Sequence, residues 1–307
     1  MKFLDLFNTH EVALDQKEAT ISYLKQEYPA TSVNETNTAT RFNLKVKELN
    51  VKLKRGVVNT KCSQDQLYEL SDKYNVNYLN DHIKPTLKNE QLTNIQKQVF
   101  NQCKKVAQYK SKYELNPSKG HVTGIRRFFW DLLNYHPELQ LQDMSIENSD
   151  FEIALNRMAH KIAQDSRQGP GNFIIVSPKA ATRFTNSNVF VHVASQRPIK
   201  HELFEHIGTF KYLDVFVSHA IKDNEILMGR KPRDVHEPSV GLVKTDDDYA
   251  LTDVVDAADA KTQLLASLTA FWNVYTIPGA EDNYITWGFQ YDKPSLRTHI
   301  LKSLKLK

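Results

Sequence analysis

The chain is poor in the residues that catalysis, metal binding and membrane insertion draw on. It has two cysteines in 307 residues, Cys62 and Cys103, 41 positions apart. That separation fits no metal-ligand spacing, so buried free thiols in a reducing compartment are expected rather than a disulfide. No run approaches the ~18 consecutive apolar residues of a membrane span. Asp5, Asn8, His10 and Glu11 interrupt the apolar start of the chain, which argues against a secretory leader and for synthesis and residence in a cytoplasm.

Nucleotide and nucleophile motifs are equally scarce. Gly169-Pro170-Gly171 lacks the Lys-Ser/Thr that would clamp phosphates, and no Gly-x-Gly-x-x-Gly follows a strand. The eleven histidines are scattered; His201 and His206 stand five apart, off a shared helical face. Asp246-Asp247-Asp248 offers hard oxygen ligands, but successive carboxylates in a loop alternate in direction and chiefly solvate it. Ser177 precedes Pro178, where a helix N-cap role suffices. The expectation is a protein with no catalytic residues, no cofactor and no metal.

Charge is similarly modest. A formal net charge of +4, with 25% charged and 40% hydrophobic residues, describes a folded globular chain of about two domains. It lacks the dense basic footprint of a dedicated nucleic-acid binder. Arg126-Arg127-Phe128-Phe129-Trp130 could stack on bases or could be core under a pair of snorkelling arginines. No second such cluster exists to build a stacking surface, which favours the core.

What the sequence does have is concentrated between Arg41 and Tyr109. Phe42, Leu44 and Val46 alternate on even positions, then Leu49, Val51 and Leu53 on odd ones, so a bulge or tight turn is expected near Lys47-Glu48. Lys45, Lys47, Lys52, Lys54, Arg55 and Lys61 fill other positions, giving a basic ribbon over 41–62 that projects toward a partner. Ser63 and Gln66 form a capping-box pattern. A long amphipathic helix follows, its buried stripe drawn from Ile83, Leu87, Leu92, Ile95, Val99 and Cys103. From Pro85 to Lys110 it would run ~39 Å. Lys88, Lys97, Lys104 and Lys105 form its solvated face.

Upstream, TSVNETNTAT at 31–40 suits a loop or extended arm. Downstream, Phe151 to Ser166 is amphipathic and Gly169 is suited to cap it. Phe173 to Val176 is a short apolar strand, followed by a helix from Pro178. Residues 212–218 and 225–229 alternate with a turn between them, and 240–243 is a further strand. The second half of 262–277 pairs with a strand at 284–291 across the turn 278–283.

This order resembles the major capsid proteins of tailed bacteriophages, in the T-even-like branch of the HK97-like fold. The stretch 42–107 is similar to that branch's extended loop and spine helix. DSRQGPGNFIIVSPKAATRF at 165–184 is similar to its approach to the axial domain, and GTFKYLDVFVSHAIKDNEILMGRK at 208–231 to its strand–turn–strand. The resemblance spans roughly residues 40–290 and is one of order and spacing.

It implies an α+β, HK97-like fold with an N-terminal arm (1–40), an extended loop (41–62), a peripheral domain with the spine helix (63–170 and 276–307) and an axial domain (171–275). It implies a shell subunit that assembles with itself into hexamers, and pentamers, of a head enclosing DNA. Lys45, Lys47, Lys52, Lys54 and Arg55 would make inter-subunit contacts. Portal, scaffold or decoration proteins and non-specific contact with double-stranded DNA complete the expected partners, with no membrane. The location would be the virion, after assembly in the host cytoplasm. Alternatives are a vertex paralogue, an encapsulin-like compartment shell or, in another class, a cytosolic nucleic-acid-binding protein. Family members are trimmed after a hydrophobic-x-Glu site; Leu67-Tyr68-Glu69 matches but lies inside the body, so no trimming is expected there.

Overall fold

The computed structural model describes residues 1–27, 43–107, 109–114, 145–193, 203–223, 225–256 and 261–290. The Thr- and Asn-rich run at 31–40, the Arg126–Trp130 cluster, His201 and the basic tail lie outside them. The chain divides into two compact units: Met1–Lys105, Ile199–Leu203 and Pro232–Ala280 form the first, and Val106–Pro198, Phe204–Lys231 and Glu281–Lys307 the second.

The first unit opens with a 3₁₀ turn, Phe3–Leu6, whose Phe3 and Leu6 are buried with Phe7. The first strands are β1 (Asn8–Val12), β2 (Glu18–Glu27), β3 (Asn43–Lys52) and β4 (Lys54–Ser63). Two helices follow, α1 (Gln64–Tyr74) and, after a π-helical turn at Leu79–Ile83, the long α2 (Lys84–Val106). At 23 residues α2 is ~35 Å long. Pro85 stands just after the π-helical turn, at the joint where the helical hydrogen-bond pattern changes, so its missing N–H falls where that pattern is already irregular.

The order in which strands pair overturns two expectations. β2 and β3 pair antiparallel in unbroken register from Glu18↔Lys52 to Glu27↔Asn43, with no bulge at Lys47-Glu48. The ribbon is therefore 18–27 with 43–52, and β4 is not its second strand.

In the second unit β5 (Tyr109–Glu114) is followed by α3 (Ser145–Ser166), β6 (Phe173–Val176), α4 (Pro178–Thr185), β7 (Phe190–His192), β8 (Glu205–Phe210), β9 (Leu213–Val217) and β10 (Glu225–Gly229). The chain then returns to the first unit with β11 (Val240–Thr245), β12 (Asp248–Asp256) and β13 (Lys261–Thr276), and ends its described part in the second with β14 (Tyr284–Gln290).

The first unit's main sheet has the order β1-β11-β13-β12, with β4 also on β13. β4 and β13 align Val58 with Leu268 and Lys54 with Trp272. The second unit holds one seven-stranded sheet, β5-β14-β10-β6-β9-β8-β7. β9 and β10 are not a hairpin: they flank β6 on either side. β14 pairs β10 and β5, not the end of the 262–277 strand.

Packing explains the second unit. Leu155, Met158, Ala159 and Ile162 recur at i, i+3, i+4 and i+7, so α3 presents one stripe to a core containing Ile174, Val176, Ile226 and Met228. All four residues of β6 are buried, as a strand covered on both faces requires. α3 and β14 thus belong with β6 and not with α2, where the expected peripheral boundaries put them. Arg167, at φ 57°, takes the left-handed position after α3 that was expected of Gly169. Ser177 caps α4 as expected, its Oγ accepting from Ala180 N–H at 3.1 Å.

Candidate assembly interface

The first unit carries two candidate features, an arm and a sheet-backed helix that forms its body. The arm is the β2–β3 ribbon. Ten residues per strand give ~34 Å at ~3.4 Å each. Its base is fixed on one face. Ile21, Tyr23 and Val51 are buried with Val243, Tyr275 and Ile277, and Ala19, Leu49 and Leu53 pack around them. Polar ties add to this: Asn273 Nδ2 donates to the Lys52 carbonyl (2.7 Å), His236 Nδ1 donates to the Ser22 carbonyl (3.1 Å), and Leu53 N–H donates to the Lys17 carbonyl (2.8 Å).

The outer part of the ribbon differs. Val46 is 68% exposed and is the register partner of Leu24, on the face opposite Leu49 and Val51. The change of phase in the sequence is therefore a change in which face is apolar, along a backbone that does not break. Leu49 and Val51 serve their own unit, and Val46 points away from it.

The five basic residues expected on the ribbon separate accordingly. Lys45, Lys47 and Lys52 stand exposed on β3. Lys52 Nζ lies 3.5 Å from Glu18 Oε1, both exposed, a pair contributing at most about 1 kcal/mol. Lys54 and Arg55 stand instead on β4, opposite Trp272 and Phe271 of the sheet. Strand pairing with β13, about two hundred residues away in sequence, holds them there, and local alternation carries no signal of it.

The body is α2 against that sheet. Ile83, Leu87, Ile95, Val99 and Cys103 are buried and Leu92 is half-buried. Val58, Ala266 and Leu268 receive Ile83 and Leu87. Sequence reasoning missed the glutamines. Gln91 and Gln96 are buried, and with its amide turned to suit its neighbours Gln91 donates to Asp247 Oδ1 (3.1 Å) and accepts from Ala270 N–H (3.3 Å). Trp272 Nε1 donates to Gln98 Oε1 (3.0 Å), and Gln102 Nε2 donates to Thr276 Oγ1 (2.7 Å). These bonds fix the helix on β13 in register, where apolar packing alone would let it slide. Lys84 Nζ lies 4.7 Å from the centre of the Tyr249 ring, a further tie between helix and sheet.

Two histidines have unusual surroundings. His10 on β1 has a buried Nε2 without a hydrogen bond, and burial, with His236 nearby, lowers its pKa. In the second unit, burial lowers the pKa of His206; Asp214 Oδ1, 3.4 Å from its Nε2, opposes that but is poorly aligned for a hydrogen bond. Among the described residues no group of three or more His, Cys, Asp or Glu side chains could hold a metal ion. No described helix is long and apolar enough to cross a membrane.

A family model described as "Major capsid protein Gp23" matches residues 5–243. Among solved structures, the capsid of the cyanophage P-SCSP1u is similar at TM-score 0.54 and 11% identity, over 94% of this chain and 88% of that chain. A structure from Microbacterium phage Oxtober96 is similar at TM-score 0.51 and 9% identity, over 94% and 90%. One from Mycobacterium phage Adephagia is similar at TM-score 0.51 and 9% identity, over 95% and 90%. No curated protein matches the sequence. At such identities the structural likeness establishes the fold alone: α+β and HK97-like.

Proposed function

The chain belongs to the major capsid protein Gp23 family, and from that premise we propose how its parts divide the work of building a phage head. It is a structural shell subunit and a component of the virion, and its partner is further copies of itself. Copies join as rings of six, with rings of five where the shell curves most, through repeated heterologous contacts that close. The unit carrying α2 and the ribbon is the peripheral domain, and the unit built on the seven-stranded sheet is the axial domain. α2 and its sheet are the rigid body; the ribbon extends onto the next copy.

The two-stranded ribbon carries this reading. Ten paired residues per strand, packed at one end and exposed at Lys45, Val46 and Lys47, support contact with another molecule. Exposed Lys45, Lys47 and Lys52, with Lys54 and Arg55 near the arm's root, contribute register and salt dependence more than affinity. Basic residues of the shell's inner surface meet packaged double-stranded DNA without reading sequence. Portal, scaffold and decoration proteins complete the particle, which assembles in the host cytoplasm.

The test is direct. The purified chain, with varied salt, yields shells or rings in negative-stain images. A strictly monomeric protein under all conditions overturns the assignment of rings to this chain.

A further inference from the structure

The base of the ribbon rests on two histidines from different elements. His236, in the loop before β11, donates from Nδ1 to the Ser22 carbonyl of β2 at 3.1 Å. That loop is in turn tied to β1, where Asn8 Nδ2 lies 3.4 Å from the carbonyls of Asp234 and Val235 and from Ser239 Oγ. His10 stands two residues further along β1, on the same side of the strand as Asn8. Its Nε2 is buried without a hydrogen bond, and it is near enough to His236 for charge on one imidazole to act on the other. The His10 ring lies 5.9 Å from that of Tyr275, whose hydroxyl is also buried without a hydrogen bond. Tyr275 packs against Ile21, Tyr23 and Val51, so it connects His10 to the underside of the ribbon.

A positive charge on His10 would find no partner among the described groups around it. On β1, Glu11 falls on the opposite side and engages Lys244 of β11 at 3.0 Å. In the loop, Asp234 Oδ1 accepts from the His236 N–H (3.1 Å) and Glu237 Oε2 from the Arg233 N–H (2.8 Å). β13 presents Tyr275, and the ribbon presents Tyr23 with Lys47 as its register partner. The ribbon's carboxylates lie elsewhere: Glu48 is exposed opposite Ser22, and Glu18 pairs with Lys52 at 3.5 Å. Burial and His236 therefore both act against charge on His10, and no carboxylate offsets them.

We infer that His10 and His236 form an acid-sensitive latch, which holds the base of the ribbon on its own unit near neutral pH and releases it in mild acid while α2 and its sheet stay folded. A proton on His236 leaves its bond to Ser22 in place but sets a charge against His10; a proton on His10 is buried unpaired. Lifting the ribbon off Tyr275 admits water to His10 and frees the loop, which removes both costs. The seated ribbon thus favours neutral His10, so the hold is full above the ordinary imidazole value of about 6.5 and is lost as the pH falls below it. The latch is a property of the single chain, whether or not the ribbon joins subunits.

Hydrogen exchange of the full-length chain, dilute and unassembled, tests this by mass spectrometry from about pH 7.5 to about pH 5, corrected for the intrinsic rate at each pH. Peptides covering Glu18–Tyr23 and Leu49–Lys52 should open about tenfold more at the acid end, and those covering Leu87–Cys103 less than about threefold more. His10→Gln should remove most of the ribbon's acid response, and His236→Gln should reduce it. His206→Phe, in the second unit, should leave it intact. Circular dichroism at neutral pH establishes that each variant is folded, and the two latch variants test the idea independently of each other. Equal opening of the ribbon peptides at both ends of the range overturns the latch. Parallel opening of the α2 peptides also overturns it, because acid would then be acting on the whole unit. So does a full acid response in a folded His10→Gln or His236→Gln protein, or its loss in His206→Phe.

Discussion

Trp272 lies so close over Gly56 that a methyl group on that glycine would fall 1.6 Å from Cη2 of the indole. The same indole donates to Gln98, so the absence of one side chain on β4 lets β13 reach the long helix. Gly56→Ala should push the ring off this bond and destabilise the monomer by about 1–3 kcal/mol. Urea denaturation measures it; an unchanged midpoint would show that the ring has room to move.

The spine's apolar stripe sets a second expectation. Leu87 and Val99 are fully buried, so Leu87→Ala should cost about 2–5 kcal/mol. Lys97→Ala, on the exposed face, should stay within about 0.5 kcal/mol. Equal effects of the two would mean that the helix is not seated as described.

Acid should weaken the fold before carboxylates titrate. Burial lowers the pKa of His10 and of His206, so the unfolded chain binds more protons than the folded one near the ordinary imidazole value of about 6.5. Their contribution is full above that value and declines as pH falls through it toward the lower folded values. The urea midpoint should therefore drop between about pH 7 and 5.5, and His10→Phe with His206→Phe should flatten the dependence. An equally steep dependence in the double variant would assign it to other groups.

Neither thiol is in a disulfide, and the two should differ in access. Cys103 is fully buried under the spine and should react with Ellman's reagent only on unfolding. Cys62 is half-buried, its Sγ 3.6 Å from the Leu264 carbonyl, and burial raises its pKa, so it should react slowly at neutral pH. Denatured protein should show both; rapid native reaction of two thiols contradicts the packing.

Asn75 ends α1 in the left-handed region at φ 52°, its N–H donating to the Ser71 carbonyl at 3.1 Å. Asn75→Ala should cost about 1 kcal/mol there, whereas Asn75→Gly should be neutral or stabilising. The pair of thermal midpoints, ordered Gly above Ala, checks whether α1 stops where described.

Local patterns are legible where local forces decide. The stripe Ile83, Leu87, Ile95, Val99, Cys103 follows from helical spacing, and Ser177 before Pro178 announces a cap. The ribbon's pairing is not legible locally, because its second strand, with Ala19, Ile21 and Tyr23, precedes the Thr- and Asn-rich stretch that resembles an arm. Alternation reports that a strand has two faces, not which strand lies beside it. For the same reason Lys54 and Arg55 look continuous with β3 in sequence, although β13 holds them. Gln91 and Gln96 look like surface residues by type, and the neighbours that make burial tolerable for Gln91, Asp247 and Ala270, lie more than 150 positions away.

That distance also has a consequence in time. β1, β3 and β4 wait for β11 and β13, so the ribbon has no floor until the chain has been synthesised past Thr276. At ~5–20 residues per second, translation from β4 to the end of β13 takes ~10–40 s. During that interval the nascent chain lacks a seated arm, and such long-range pairing folds slowly once it can begin. If the ribbon joins subunits as proposed, competence to do so therefore arrives only once β13 has been made.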